Sequence, residues 1–173
     1  MAMSVDEVTL AGIEMPLTLH PRLTVVGDLA ADERRKLADR LLAALGGDLS
    51  ANVRWTDPIG ERRNADRDSP VQPRIVEIGA ADLVHEPTPE RLLGLLGRAR
   101  QADTQGVQSL ALLVDPFAGL PIMRVWELLS ITERVSERVQ VLLLTDDEVT
   151  LAWAGHRAQT GSLELVRFWG AEA

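Results

Sequence analysis

Apolar positions along the chain fall into short blocks of two kinds. Ser109-Leu110-Ala111-Leu112-Leu113-Val114 and Val139 to Leu144 are nearly unbroken apolar runs, closed by Asp115-Pro116 and by Thr145-Asp146-Asp147. A strand with one face in water alternates apolar and polar residues, whereas a strand covered on both faces does not, so these runs predict buried strands of a parallel sheet. Leu23-Thr24-Val25-Val26, ending at Gly27, predicts a third. Shorter strands are expected at Val8 to Ile13 and Leu17 to Leu19, an alternating strand at Pro73 to Gly79, and a last one at Leu163 to Phe168.

Between the strands the period changes to that of a helix. Leu37, Leu41, Leu42 and Leu45 recur at helical spacing within Ala30 to Leu45, and Gly46-Gly47 supply a stop. Thr88, Pro89 and Glu90 form a helix start, with Leu92, Leu93, Leu95 and Leu96 as its apolar face to about Arg100. Val125, Leu128, Leu129, Thr132 and Val135 give the core face of a helix from Pro121 to about Glu137, and a short helix is expected from Glu148 to Ala154. Strands alternating with helices imply a three-layer α/β domain whose sites lie at the carboxyl ends of its strands.

Length and composition narrow this without changing it. A chain of 173 residues, 46% hydrophobic and 25% charged, suits one packed domain over 1–173. The exception is a polar excursion at about 48–72, rich in Asp, Arg, Asn, Gly and Pro, read as a β-hairpin or mobile segment with Val53-Arg54-Trp55 as an exposed strand. Arg54, Arg62, Arg63 and Arg67 are interleaved there with Asp57, Glu61, Asp66 and Asp68, the pattern of a solvated loop. A net charge of −8 disfavours direct nucleic-acid binding and anionic membranes. No cysteine is present, which excludes disulfides and thiolate metal sites, and no segment has the pattern of an export signal or membrane anchor, so a cytoplasmic location is expected.

The turn Gly27-Asp28-Leu29-Ala30-Ala31-Asp32-Glu33-Arg34 lies between a buried strand and a helix, where a phosphate-binding loop would sit. The pattern G-x-x-x-x-G-K-[ST] requires Gly, Lys and Ser or Thr at the positions held by Asp32, Glu33 and Arg34. A carboxylate stands in place of the phosphate-clamping ammonium group, and no hydroxyl remains for magnesium. Acids in a first turn are also what an ordinary helix prefers.

Leu112-Leu113-Val114-Asp115-Pro116-Phe117-Ala118-Gly119-Leu120 resembles the ABC-type ATPases, in particular the heads of chromosome-maintenance and DNA-repair proteins, whose strand runs into Asp-Glu-Pro-Phe and Ala-Gly-Leu-Asp. Ser136 to Thr145 is similar to that family's strand before its switch histidine, and Leu19 to Gly27 to its opening strand and phosphate loop. The likeness spans roughly 17–46 and 109–168. It implies a three-layer P-loop-NTPase-like sheet with short antiparallel N-terminal strands.

Residue by residue, the resemblance mostly reveals absences. Asp115 falls on the acid that orients the attacking water, with Val114 at the magnesium ligand; in the register one residue on, Asp115 is the magnesium ligand and Pro116 the base. Pro121 replaces the family's next Asp, Asp146 its switch histidine, and no Leu-Ser-Gly-Gly signature or long coiled coil occurs. Phosphoryl transfer relies on positioning and charge neutralisation, so these losses together imply a pseudo-ATPase with a vestigial Asp115, no cofactor, and a role in association with a protein partner or a second copy. The alternative is a divergent ATP-binding protein using ATP and magnesium, with Gly27, Arg34, Arg35 and Lys36 at the phosphates. A third possibility is a head module serving DNA repair or chromosome organisation.

Other chemistry is thinly supported. His20, His85 and His156 are scattered, so no metal site is expected, and no Gly-x-Ser-x-Gly elbow is present. Asp146 or Asp147 is expected to cap the following helix. Trp126, Trp153 and Trp169 are expected in core or interface positions.

Overall fold

The structure, a computed structural model, describes residues 4–10, 16–45, 52–56, 62–64, 74–79, 89–90, 92–94, 97 and 109–168. Its elements are β1 (Ser4–Thr9), β2 (Leu17–Thr18), β3 (Leu23–Gly27), α1 (Ala31–Leu45), β4 (Asn52–Thr56), β5 (Arg62–Asn64), β6 (Arg74–Gly79), β7 (Ser109–Val114), α2 (Ile122–Val135), β8 (Gln140–Leu144), α3 (Glu148–Ala158) and β9 (Glu164–Arg167). Residues 89–90 and 92–94 are helical.

Five strands form a parallel sheet in the order β6-β7-β8-β3-β9. The apolar runs are buried on both faces, and successive side chains enter different cores because a strand has a period of two. Leu110, Leu112, Val114, Leu142, Leu144 and Val26 face one side, where they meet Leu37, Ala38 and Leu41 of α1. Ala111, Leu113, Val141, Leu143, Leu23 and Val25 face the other, against Val125, Leu128 and Leu129 of α2 and Leu151, Trp153 and Ala154 of α3.

The remaining strands make an antiparallel sheet, β2-β1-β4-β5, on the α1 side, where Val5, Val8, Leu17 and Val53 join that core. Two expectations are corrected here. The first strand begins at Ser4, not Val8: its register shifts between Val5 and Glu7, and this bulge brings Val5 and Val8 to one buried face although they are three residues apart. Within 48–72, residues 52–56 are not an exposed strand, because β4 pairs with β1 on one side and β5 on the other and buries Val53. Arg62 and Arg63 lie in the edge strand β5 rather than in a loop, and Arg54 meets Glu7 across the sheet at 3.4 Å.

The helix after β8 runs to Ala158, one turn beyond the expected Ala154, and buries Leu151, Trp153 and Ala154. Trp126 on α2 is exposed, and Trp169, His85 and Arg67 lie outside the described residues. Among the described residues, no helix is long and apolar enough to cross a membrane.

Candidate functional site

Adjacent strands β3 and β8 send the chain to opposite faces, β3 into α1 and β8 into α3, so their carboxyl ends flank the crevice where open parallel sheets place ligands. Three turns converge there: Gly27-Asp28-Leu29-Ala30 after β3, Asp115 after β7 and Thr145-Asp146-Asp147 after β8. Main-chain bonds continue past the strands to join them, from Asp115 N–H to the Leu144 carbonyl at 2.9 Å and from Thr145 N–H to the Val26 carbonyl at 3.0 Å. Asp28 and Asp115 both adopt left-handed backbone, with φ of 62° and 46°, which carries the chain sharply away from each strand.

A Cβ at Gly27 would meet the δ-methyl groups of Leu151 on α3, which would have to shift to admit it. The absence of a side chain there lets Leu151 of α3 pack directly against β3.

Arg34 occupies the crevice. While its neighbours Glu33, Arg35 and Lys36 are exposed, Arg34 is buried, its side chain only 4% accessible. Its Nε donates to Asp115, 2.9 Å from Oδ1 and 3.0 Å from Oδ2, and its Nη1 lies 3.0 Å from Asp146 Oδ2. Nη1 also donates to the Leu29 carbonyl. One guanidinium thus ties together the ends of β7 and β8 and the turn after β3. Burial pushes the Asp115 carboxyl above its ordinary range, helped by nearby Asp146, and Arg34 opposes the rise without cancelling it.

One N–H at the helix start is also taken. Glu33 turns its carboxylate back so that Oε2 accepts from Ala30 N–H at 3.0 Å, one half of a capping box. An incoming phosphate would seek the same donors. Lys36 pairs with Asp32 at 3.1 Å and Arg35 with Asp39 at 3.5 Å, both along the solvent face of α1.

The remaining candidates are placed as follows. Asp147, rather than Asp146, caps α3, its Oδ2 accepting from Thr150 N–H at 2.7 Å and from Thr150 Oγ1–H at 2.6 Å. Pro121 forms the N-cap of α2 with no side-chain cap bond. His20 lies before β3 and His156 on α3. No group of three or more metal-capable side chains gathers among the described residues. The feature that sequence reasoning missed is the use of Arg34: a buried cation in a first turn is signalled only by the acids at Asp115 and Asp146, far along the chain.

No protein-family profile matches the chain. No curated protein matches it either. Two solved structures show a partial likeness in shape. The SMC head domain from Thermotoga maritima superposes with a TM-score of 0.49 at 9% identity, over 86% of this chain and 91% of that one. The structure of C. elegans PCH-2 gives the same TM-score at 16% identity over 86% of this chain, which spans only 35% of the PCH-2 chain.

Proposed function

We propose that this chain is a non-catalytic, P-loop-NTPase-like domain that acts by associating with protein, its nucleotide position closed by its own side chains. The reading is supported by the turn after β3 and the Asp115 turn after β7 lying at the same edge of one parallel sheet, where a nucleotide-binding relative would hold phosphate and magnesium. The observation that carries it is the burial of Arg34 between Asp115 and Asp146. A magnesium nucleotide would need Asp115 free and a cation facing the phosphates; Asp115 is engaged and Arg34 is spent on it, while Arg167 of β9 reaches the same turn and lies 3.6 Å from Asp28. Glu33 holds an N–H of the helix start, which removes a further donor. A DNA-repair or chromosome-maintenance setting is consistent with the resemblance of Leu112 to Leu120, and protein contact rather than DNA contact suits the net charge of −8.

Thermal melting with millimolar ATP and magnesium tests the reading. A ligand present at about a hundred times its dissociation constant adds about 2.7 kcal/mol to the native state, enough to raise the midpoint by several degrees. No shift is expected. A saturable rise would replace this reading with that of a divergent ATP-binding protein.

A further inference from the structure

Helix α2 and the helical residues 92–94 enter the same core on one face of the central sheet, through Leu128 and Leu92. An open cavity of about 450 Å³ lies where they meet the turn into β8. Leu93, Val135 and Val139 give it an apolar wall, and Arg134, Glu137 and Arg138 stand at its border. Small-molecule sites commonly have volumes of about 300–1,000 Å³ and set a few polar groups against an apolar lining. The cavity is at the amino end of β8. The crevice holding Arg34 is at the other end, about 16 Å along the strand.

The pairing of the charges around the cavity indicates what it takes. The acids of α2 and of the turn after it are already engaged, Glu127 with Arg124 at 2.7 Å, Glu133 with Arg157 at 3.1 Å and Glu137 with Arg22 at 3.4 Å. Glu137 is needed where it is: Arg22 Nε is buried with no hydrogen-bond partner, and this carboxylate is what balances the Arg22 guanidinium. Arg134 and Arg138 are left exposed, with no carboxylate partner among the described residues. The carboxyl end of a helix favours a cation, so one arginine there needs no ligand, but two guanidinium groups one turn apart repel each other. An oxyanion between them removes that repulsion, and the fork of a guanidinium matches the oxygens of a carboxylate or a phosphate. The adjoining wall of Leu93, Val135 and Val139 offers burial to an apolar group attached to that head.

We propose that this cavity binds a small amphiphilic anion, its oxyanion head held by Arg134 and Arg138 and its short apolar body laid against Leu93, Val135 and Val139. The head is a carboxylate or a phosphate monoester, which share the negative charge and the acceptor oxygens that two arginines recognise. The site is separate from the crevice closed by Arg34, so it stands or falls independently of whether that crevice takes a nucleotide.

Titration of the full chain with hexanoate and with hexyl phosphate, followed by residue-resolved NMR, tests the proposal and separates the two heads. At least one of them should give saturable shifts at the amides of Leu93 and of Val135 to Val139, binding at least about tenfold more tightly than hexan-1-ol, which lacks the charge, or inorganic phosphate, which lacks the apolar body. Arg134→Gln and Arg138→Gln should each weaken binding at least about threefold, and the double variant at least about tenfold. Both side chains are exposed and unpaired, so the variants should melt with the wild-type chain by circular dichroism. Trp126→Gln, which alters an exposed apolar side chain elsewhere on α2, should leave binding unchanged. No saturable shift with either probe overturns the proposal, as does binding that both arginine variants leave intact. Hexan-1-ol binding as tightly as the anions overturns the role of the charge, and inorganic phosphate binding as tightly overturns the role of the apolar wall.

Discussion

The guanidinium of Arg34 lies 2.9 Å from the carboxylate of Asp115, bringing the first turn of α1 to the end of β7 across the mouth of the sheet. The partners differ in exposure, 4% for Arg34 against 22% for Asp115, so removing one or the other has unequal consequences. Asp115→Ala leaves a buried cation with only the exposed Asp146 and a carbonyl, and should cost about 3 kcal/mol. Arg34→Met keeps the volume and leaves a carboxyl that can take up a proton, and should cost about 1 kcal/mol. The native Asp115 carboxyl, raised above its ordinary 3.8, binds protons more readily than the unfolded chain does, so its contribution to stability falls as pH rises through that interval. Arg34→Met widens the interval. Urea denaturation at neutral and mildly acidic pH should show the deficit of the Met variant shrinking on acidification.

Gln140 acts as a substitute strand. Its side-chain amide forms a pair of bonds with the main chain of Val5, accepting from Val5 N–H at 2.9 Å and donating to the Val5 carbonyl at 2.7 Å, and Nε2 also donates to the His20 carbonyl at 3.0 Å. This joins the antiparallel sheet to the amino end of β8. Gln140→Leu strands buried donors and acceptors on both sides and should cost about 2–3 kcal/mol by chemical denaturation. Hydrogen exchange should show β1 amides losing protection before those of β7.

Gly27→Ala places a methyl group against Leu151 and should cost about 1–3 kcal/mol, as overpacking does. Leu151→Ala in the same chain relieves the contact, so the double variant should be more stable than the two separate losses added together. Strict additivity would show that Gly27 serves something other than close packing.

His20 sets a pH dependence of its own. Burial, and secondly Arg22, hold its imidazole below the ordinary 6.5, while Glu164 and a backbone hydrogen bond with Gly161 oppose the shift. The unfolded chain then binds the proton more readily. Stability from this group is complete above 6.5 and is lost as pH falls toward the depressed native value. His20→Gln should flatten the slope of unfolding free energy against pH over that interval.

The central sheet was legible because β3, β7 and β8 are buried on both faces and therefore carry runs such as Leu110 to Val114 that few other environments produce. The antiparallel strands were legible in part: β2, the strand at 53–55 and the antiparallel pairing of the N-terminal strands were expected, but the start of β1 and the strand β5 were not. A bulge breaks the alternation of β1, and β5 contains Arg62, Arg63 and Asn64, a charged edge with no apolar residue to betray it. At the site, the turn after Val26 and the acids at Asp115 and Asp146 could be placed from the sequence, but their convergence on Arg34 depends on strand order. The same holds for Gln140 and Val5, which lie 135 residues apart. Exposure of Trp126 was equally hidden, since a tryptophan on a helix suits core and interface alike.

Residue-resolved NMR with magnesium ATP tests the proposed closure of a nucleotide position most directly. The amides of Gly27 to Arg34 and of Asp115, and the Arg34 Nε–H resonance, should stay in place up to millimolar nucleotide. Saturable shifts at these positions, with the Arg34 signal moving as its contact to Asp115 opens, would contradict the account.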